Sequence, residues 1–268
     1  PLLDVFEAVY RSLRDYEGFG LAVQAYQKRA TAVVEWLIDL GREGRRRIPL
    51  RLVKGAYWDG EIKRAQERGL TGYPVFTRKS ATDVSYLACA RRMARAPDAV
   101  YPQFATHNAH TVAALLEVMG GACDFEFQRL HGMGEALYAA LAMPASRGIA
   151  CRIYAPVGSH EDLLPYLVRR LLENGANTSF LRHAHGDTPI EALAADPVEK
   201  LRRAGPGPNP RIPLPADLYP DRKNSLGVNL SDPEALVPLL RDMETAVALS
   251  HSAAPLIGGE VPDGSPRA

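Results

Sequence analysis

The sequence predicts an α/β protein whose strands and helices alternate as in a distorted (β/α)8 TIM barrel. Five short apolar runs, each typical of a buried strand, are separated by longer stretches with helical periodicity. They recur every 22 to 50 residues or so, which is about the spacing of βα units in barrels and in doubly wound sheets. No GxGxxG motif follows the first run, and polar residues gather at the ends of several runs. Both observations favour the barrel.

The composition excludes several other classes. The chain has 268 residues, of which 46% are hydrophobic and 24% charged, so disordered, collagen-like and disulfide-scaffold proteins are ruled out. The 32 Lys and Arg residues nearly balance the 31 Asp and Glu residues, which gives no electrostatic reason to expect a nucleic acid partner. Three cysteines without a CxxC pair fit a reducing compartment. No apolar run reaches the roughly 18 residues of a transmembrane helix.

The elements follow in chain order. Residues 1–18 have a helical pattern. The predicted strands are Gly20–Ala25, Pro49–Ala56, Tyr101–Thr106, Cys123–Leu130 and Ala150–Val157. The predicted helices between them are Lys28–Gly41, Trp58–Gly69, Asp83–Ala96, Thr111–Met119 and Glu135–Arg147, several of which end at glycine or proline.

A further helix begins after Ser159, which is a typical N-cap residue, and stops at Asn174-Gly175. It carries adjacent arginines, Arg169 and Arg170, with Glu173 within ion-pair reach. Two neighbouring guanidinium groups can clamp one carboxylate. A solvated face of two arginines and a glutamate is the alternative interpretation.

The character of the chain changes after residue 204. Gly205–Pro220 holds six prolines in sixteen residues and predicts a linker, and Ser231–Ser250 predicts an amphipathic helix capped by Ser231. We expect a barrel over residues 1–204, a linker with one helix over 205–253, and the start of another domain over 254–268. With five strands and a helical start, we expect the C-terminal part of a barrel whose first strands are missing.

Several polar groups could carry chemistry. Arg51 and Lys54 place a cation on each face of one strand, where an anionic or electron-rich ligand is a natural partner, although a strand-end lysine in solvent is the alternative. Thr77–Ser80 could grip a phosphate or form an ordinary loop. His107, His110 and His131 could bind a metal, but we expect structural histidines and no metal.

Five strings, taken together and in order, resemble the flavin-dependent proline dehydrogenase domain of the bifunctional bacterial proline utilisation A proteins. The resemblance covers residues 20–182, and its strings are Arg51–Trp58, Phe104–Asn108, Phe125–Leu130, Arg152–Val157 and Tyr166–Asn177. Lys223–Leu230 is similar to the linker that follows that domain. Pro255–Gly264 is similar to the opening of the aldehyde dehydrogenase domain beyond it.

The resemblance implies a distorted TIM barrel that holds FAD. It implies oxidation of L-proline to 1-pyrroline-5-carboxylate by hydride transfer to flavin N5, with the electrons passed to a membrane quinone. It further implies an aldehyde dehydrogenase domain in the same polypeptide, a homo-oligomer, no nucleic acid contact through this segment, and a cytoplasmic protein associated peripherally with the inner membrane.

The resemblance also assigns roles to residues. Arg169 and Arg170 would pair with the proline carboxylate, and Glu173 would orient their helix and hydrogen-bond the cofactor or the arginines. Arg51 would lie near flavin N5. The proline ring would be walled by Tyr57, Leu130 and Tyr154. The remaining FAD contacts would be Gln24, Val53, Lys54, Gly55, Ala56, Trp58, Thr77, Arg78, Lys79, Thr106, His107, Asn108 and Gln128.

The sequence departs from the family at one point. The family also uses a lysine and an aspartate from earlier barrel strands, and nothing before Gly20 supplies them. Three alternatives stay open: a Schiff-base barrel enzyme built on Lys54, a metal-dependent hydrolase, and a non-catalytic fragment of a larger protein.

Overall fold

A computed structural model describes residues 2–122, 124–141, 148–175, 189–205 and 207–249. Its strands form one parallel sheet in the order β1-β2-β3-β4-β5. A doubly wound sheet reverses its strand order at a switch point, whereas a βα barrel keeps consecutive strands adjacent. The predicted α/β class with a parallel sheet is therefore confirmed, and closure into a barrel stays a prediction. The strands are β1 Leu21–Gln24, β2 Ile48–Val53, β3 Val100–Ala105, β4 Glu126–Leu130 and β5 Ala150–Tyr154.

Most of the helices follow the predicted pattern, with ends that differ by several residues, but the two short helices Ile190–Leu193 and Pro197–Arg203 were not predicted. The predicted end of the sixth helix, at Arg147, lies outside the described residues. None of the described helices is long and apolar enough to cross a membrane. The helices are α1 Leu2–Ser12, α2 Ala30–Glu43, α3 Trp58–Glu67, α4 Lys79–Ala94, α5 Ala109–Met119, α6 Glu135–Leu141, α7 His160–Gly175, α8 Ile190–Leu193, α9 Pro197–Arg203 and α10 Pro233–Val247.

The chain divides into two compact units. The first comprises residues 1–62 and 73–212 and contains the whole sheet. The second comprises residues 63–72 and 213–268, and within it the Gly227 amide donates to the Gly69 carbonyl oxygen over 2.9 Å. The predicted domain boundaries stay predictions, and the segment 254–268 lies outside the described residues.

The predicted cap of the last helix is wrong. Asp232, not Ser231, is the N-cap residue of α10, and its carboxylate accepts from the Glu234 amide over 3.1 Å. Pro233 has a fixed φ and no amide hydrogen, so it suits the first helical position and places the cap one residue before itself.

The two faces of the sheet differ sharply. One face packs against helices, and its large side chains Leu50, Leu52, Phe104 and Phe127 are almost completely buried. The alternating positions of β3, β4 and β5 carry polar groups instead, namely Gln103, Glu126, Gln128 and Arg152. Parallel strands usually carry apolar residues on both faces, so this polar face indicates a functional surface.

Strand β2 ends earlier than predicted. It stops at Val53 rather than at Ala56 because the chain turns at Gly55, which has a φ of 122°. A Cβ atom at this position would lie 2.7 Å from the Tyr26 ring. Only glycine combines this φ with this close approach. Residues 54–56 therefore form a loop at the carboxyl end of the strand.

Gly41 in α2 is required by a close approach, and we expect Gly41→Ala to lower the free energy of unfolding by about 1–3 kcal/mol. A Cβ atom there would collide with the Ala99 carbonyl oxygen, which is backbone and cannot move cheaply. Gly60 in α3 is a matched control, since nothing lies within 4 Å of the place that its Cβ atom would take. Gly60→Ala should be neutral or stabilising by up to about 1 kcal/mol. Equal effects of the two changes in urea unfolding would contradict this reasoning.

Candidate active site

Six of the predicted site residues lie on the polar face of the sheet. The register places Gln24 beside Val53 and Leu130 beside Tyr154, while Arg51 pairs with Gln103 one strand further on. Side chains two positions apart on a strand share a face, which adds Gln128 to this group. Arg51 is the sixth residue of the group, because its register partner Gln103 also lies on the polar face. Four of the five strands thus contribute predicted site residues to one surface.

Arg51 is the most unusual cation of this surface. Its guanidinium carbon lies 4.5 Å from the centroid of the Tyr154 ring. Its Nε atom is buried and has no hydrogen-bond partner within the described parts of the chain. A buried donor without an acceptor is unfavourable unless a ligand supplies one. The position therefore suits an anionic or electron-rich group beside the Tyr154 ring.

Lys54 follows β2 and is held by two side chains. Its Nζ atom donates to the Asp83 carboxylate and, over 3.0 Å, to Thr111 Oγ1. Burial lowers the pKa of Lys54, and the negative charge of Asp83 opposes this effect. A lysine that forms an imine must present a free neutral amine. The ion pair with Asp83 therefore disfavours the Schiff-base alternative.

A cavity of about 320 Å³ opens next to Lys54. Three ammonium groups and one carboxylate border it, so it favours an anionic ligand. Two residues of the predicted FAD set, Lys79 and Asn108, also border it. The charged residues of the wall are Lys54, Lys79, Asp83 and Lys200.

Thr77 and Arg78 are occupied by main-chain atoms of the same unit. Arg78 donates from Nε to the Gly207 carbonyl and from Nη2 to the Pro208 carbonyl, each over 3.1 Å. Thr77 Oγ1 accepts from the Asn209 amide over 2.8 Å. The segment 207–209 therefore holds two of the four residues of the predicted phosphate grip, Thr77–Ser80.

The turn after β3 is built by its own predicted site residues. Asn108 is the N-cap of α5, and its side chain accepts from the Thr111 amide over 3.0 Å. Thr106 Oγ1 accepts from the Asn108 amide over 3.2 Å, and the Thr106 carbonyl accepts from the Tyr138 hydroxyl over 2.6 Å. These contacts fix the backbone on both sides of His107.

The segment after β2 is also fixed by a predicted site residue. Trp58 donates from Nε1 to the Phe76 carbonyl over 2.8 Å.

His107 is buried in a cationic environment. Its Nε2 atom accepts from the Leu130 amide over 3.1 Å, so the proton of the neutral ring lies on Nδ1. Burial lowers the pKa of His107 to about 4, and the charges of Arg170 and Arg129 act in the same direction. His107 is thus a neutral donor at physiological pH. Among the described residues, no cluster of three or more His, Cys, Asp or Glu side chains could hold a metal ion.

We expect the pKa of His107 to appear in the stability of the protein. In the unfolded chain the imidazole binds a proton below about pH 6.5, whereas in the folded protein it does so only below about pH 4. The free energy of unfolding should therefore fall with decreasing pH between these values, by up to about 1.4 kcal/mol per pH unit. His107→Asn should reduce this slope, and the exposed His160→Asn should not. Equal slopes for wild type and His107→Asn in urea unfolding would refute the assignment.

Helix α7 carries the predicted carboxylate clamp. Ser159 Oγ accepts from the Asp162 amide over 3.3 Å, so the predicted cap is observed. The guanidinium carbon of Arg169 lies 5.4 Å from the centroid of the Tyr57 ring, and that of Arg170 lies 5.4 Å from the Tyr166 ring. The Glu173 side chain is outside the described part of the structure, so its predicted pairing is untested.

Some residues near the site were not predicted from the sequence. Asp83 holds Lys54 from 29 positions away, and nothing in the local sequence signals such a pair. Glu126 and Arg152 form an ion pair on the polar face, in which the carboxylate is buried. Glu126 did have a signal, because it alternates with Phe125 and Phe127 in the same way as Gln128.

Comparison with known proteins places this arrangement in a family. A family model described as proline dehydrogenase matches residues 1–183. The bifunctional protein PutA of Salmonella typhimurium is 50% identical over 266 residues, covering 94% of this chain and 20% of the relative. Mitochondrial proline dehydrogenase 1 of Caenorhabditis elegans is 32% identical over 164 residues, covering 57% of this chain and 26% of the relative. The chain thus spans about a fifth of the length of the bacterial relatives.

Solved structures of proline utilization A proteins are similar to this chain as well. A crystal structure of proline utilization A from Bradyrhizobium japonicum, a D778Y mutant, has a TM-score of 0.85 and 56% identity, covering 90% of this chain and 25% of that one. Proline utilization A from Bdellovibrio bacteriovorus, inactivated by N-propargylglycine, has a TM-score of 0.78 and 28% identity, covering 98% of this chain and 27% of that one. The match over most of its length and the site built at its strand ends lead to one conclusion: the chain belongs to the proline dehydrogenase family.

Proposed function

We propose that this chain forms the substrate- and flavin-binding wall of an enzyme that oxidises L-proline to 1-pyrroline-5-carboxylate. The observation that carries the proposal is Arg51, whose buried Nε atom lacks a partner in the described structure and whose guanidinium group stacks on Tyr154. The family match supports the reaction, and one structural relative is described with proline bound in remote sites. FAD would supply the acceptor for a hydride at flavin N5.

The residues present suit FAD in their chemistry. The Arg51 cation would lie near N5 of the ring and favour the negative charge of its reduced form, and the diphosphate would meet the ammonium groups of the cavity beside Lys54 and Lys79. The neutral His107 would donate a hydrogen bond from Nδ1. The other proposed contacts are Gln24, Val53, Gly55, Ala56, Trp58, Thr77, Arg78, Thr106, Asn108, Gln128 and Glu173.

The chain's own residues would position the substrate. Arg169 and Arg170 bind the proline carboxylate, and Tyr57, Leu130 and Tyr154 enclose the ring. Such walls exclude water and hold the reacting carbon close to its acceptor, which is the main requirement of hydride transfer.

We further propose that electrons pass to a membrane quinone. The whole polypeptide would contain an aldehyde dehydrogenase domain, assemble as a homo-oligomer and associate peripherally with the cytoplasmic side of the inner membrane.

The test uses the whole polypeptide that carries this chain. The purified protein should be yellow, and L-proline should bleach its visible flavin band without oxygen. L-proline methyl ester, which lacks the carboxylate, should bleach the band far more slowly. A colourless protein that borohydride inactivates in the presence of substrate would overturn the proposal and favour an imine on Lys54.

A further inference from the structure

Glu126 is a buried carboxylate that the proposed reaction does not use. It lies on the polar face of β4 with 2% of its surface exposed, two positions before Gln128 along the strand. The predicted site residues gather towards the carboxyl ends of the parallel strands. Glu126 lies on the same face of the sheet as Gln128 but farther from that end. A buried charge at such a place requires strong partners.

The partners of Glu126 come from three strands. Arg152 donates from Nε to Oε1 and from Nη2 to Oε2, each over 2.9 Å. Gln103 and Gln128 donate from their Nε2 atoms to Oε1 over 2.9 and 2.7 Å. The Tyr101 hydroxyl is 3.5 Å from Oε2. Burial raises the pKa of Glu126, but the hydrogen bonds from Arg152 and both amides outweigh it, so the pKa is lowered and the group is ionised at neutral pH.

This carboxylate determines how the Gln128 amide is oriented. A carboxylate accepts hydrogen bonds and repels a carbonyl oxygen, so the amide must turn its NH2 group towards Glu126. The amide oxygen therefore points away from Glu126. No residue in the described structure donates to this oxygen, although the Gln128 side chain is only 6% exposed. An acceptor held in this way on the polar face suits a ligand that brings its own donor.

A flavin ring has one such donor. On its pyrimidine edge, N3–H is flanked by two carbonyl oxygens, and the other polar atoms of the oxidised ring are acceptors. Resting on the proposed function, we infer that Glu126 is a positioning residue that fixes the Gln128 amide so that its oxygen accepts from flavin N3–H. The remaining hydrogen of the same amide can serve an adjacent flavin carbonyl.

The test compares two ligands on the apo form of the whole polypeptide. FAD and N3-methyl-FAD are titrated, and the ratio of their dissociation constants is measured. The wild type should prefer FAD by roughly 10-fold or more, since the methyl group removes the donor. In Glu126→Gln, the new amide can either donate or accept, so it no longer fixes the orientation of the Gln128 amide. The preference for FAD over N3-methyl-FAD should then fall to about threefold or less. A variant that keeps the wild-type ratio would overturn the inference.

Two further variants separate positioning from mere structural support. Arg152→Gln replaces the strand neighbour of Gln128 and breaks the ion pair, but it leaves the hydrogen bond from Gln128 to Glu126 in place. It should therefore keep the preference for FAD, and loss of the preference would show that Glu126 only holds the strands together. Gln128→Met removes the acceptor oxygen itself. This variant should abolish the preference for FAD, and a preserved preference would refute the assignment. It also keeps the inference testable if Glu126→Gln fails to fold.

The outcomes also separate this inference from the proposed function. A wild-type protein that binds neither ligand contradicts the proposed function. A wild-type protein that binds FAD and its N3-methyl analogue equally well contradicts only the role of Glu126 and Gln128.

Discussion

Replacing Arg170 with methionine in the whole polypeptide is expected to raise the apparent KM for L-proline by roughly 10- to 150-fold, which corresponds to the loss of one hydrogen-bonded charge pair. Methionine keeps much of the volume and removes the charge. Turnover at saturating proline should change less, because the carboxylate lies away from the reacting carbon. Steady-state kinetics with a soluble electron acceptor measure both quantities.

Arg42→Met is the matched control for this change. Arg42 also lies on a helix and forms an exposed ion pair with Asp98, with half of its side chain accessible. An exposed pair contributes about 0–1 kcal/mol to stability, and its loss should leave the KM for proline unchanged. An unchanged KM in Arg170→Met, with the protein folded, would refute the carboxylate assignment.

Arg170 offers a second, independent measurement. Its charge contributes to the lowered pKa of His107, after the larger effect of burial. Arg170→Met should therefore raise the pKa of His107 from about 4 towards the ordinary value. An NMR titration of the imidazole detects this without substrate. A KM effect without any movement of this pKa would mean that Arg170 lies further from His107 than the structure indicates.

The fold could be predicted from the sequence because its strands carry a local signal. Every predicted strand is present, since short apolar runs separated by helical stretches report burial directly. The ends of the strands and helices carry a weaker local signal. The end of β2 depends on the φ of Gly55, and the cap of α10 depends on Pro233, which are backbone properties that an apolar pattern does not contain.

The candidate site was predictable only in part. Arg51 and Tyr154 stand in or at the end of predicted strands, the two arginines of α7 are adjacent in the sequence, and the family resemblance gave all four roles. The pair of Lys54 with Asp83 and the pair of Arg152 with Glu126 join positions 29 and 26 residues apart. Such pairs depend on strand order and helix packing, so a single sequence does not reveal them.

Arg51→Met carries the second large expected effect, a fall in turnover of about 100- to 1,000-fold, which is typical when one preorganised cationic donor is removed from a reacting centre. The buried Nε of Arg51 has no partner in the described structure, and the observed contact of its guanidinium group is with the Tyr154 ring, worth about 0.5–2 kcal/mol. The apoprotein should therefore lose little stability, and lost turnover cannot be ascribed to unfolding. The flavin midpoint potential should also become more negative.

Arg47→Met tests whether replacing any arginine close to this strand would give the same result. Arg47 directly precedes β2, at the opposite end from the site, and its guanidinium carbon also lies over a tyrosine ring, 5.3 Å from the centroid of Tyr101. It donates to the Val100 carbonyl, so its replacement should cost stability but leave turnover and potential unchanged. Arg51→Lys, which keeps the charge but loses the planar fork, should recover part of the potential. Equal turnover in Arg51→Met and Arg47→Met would show that Arg51 acts on the sheet and not on the reaction.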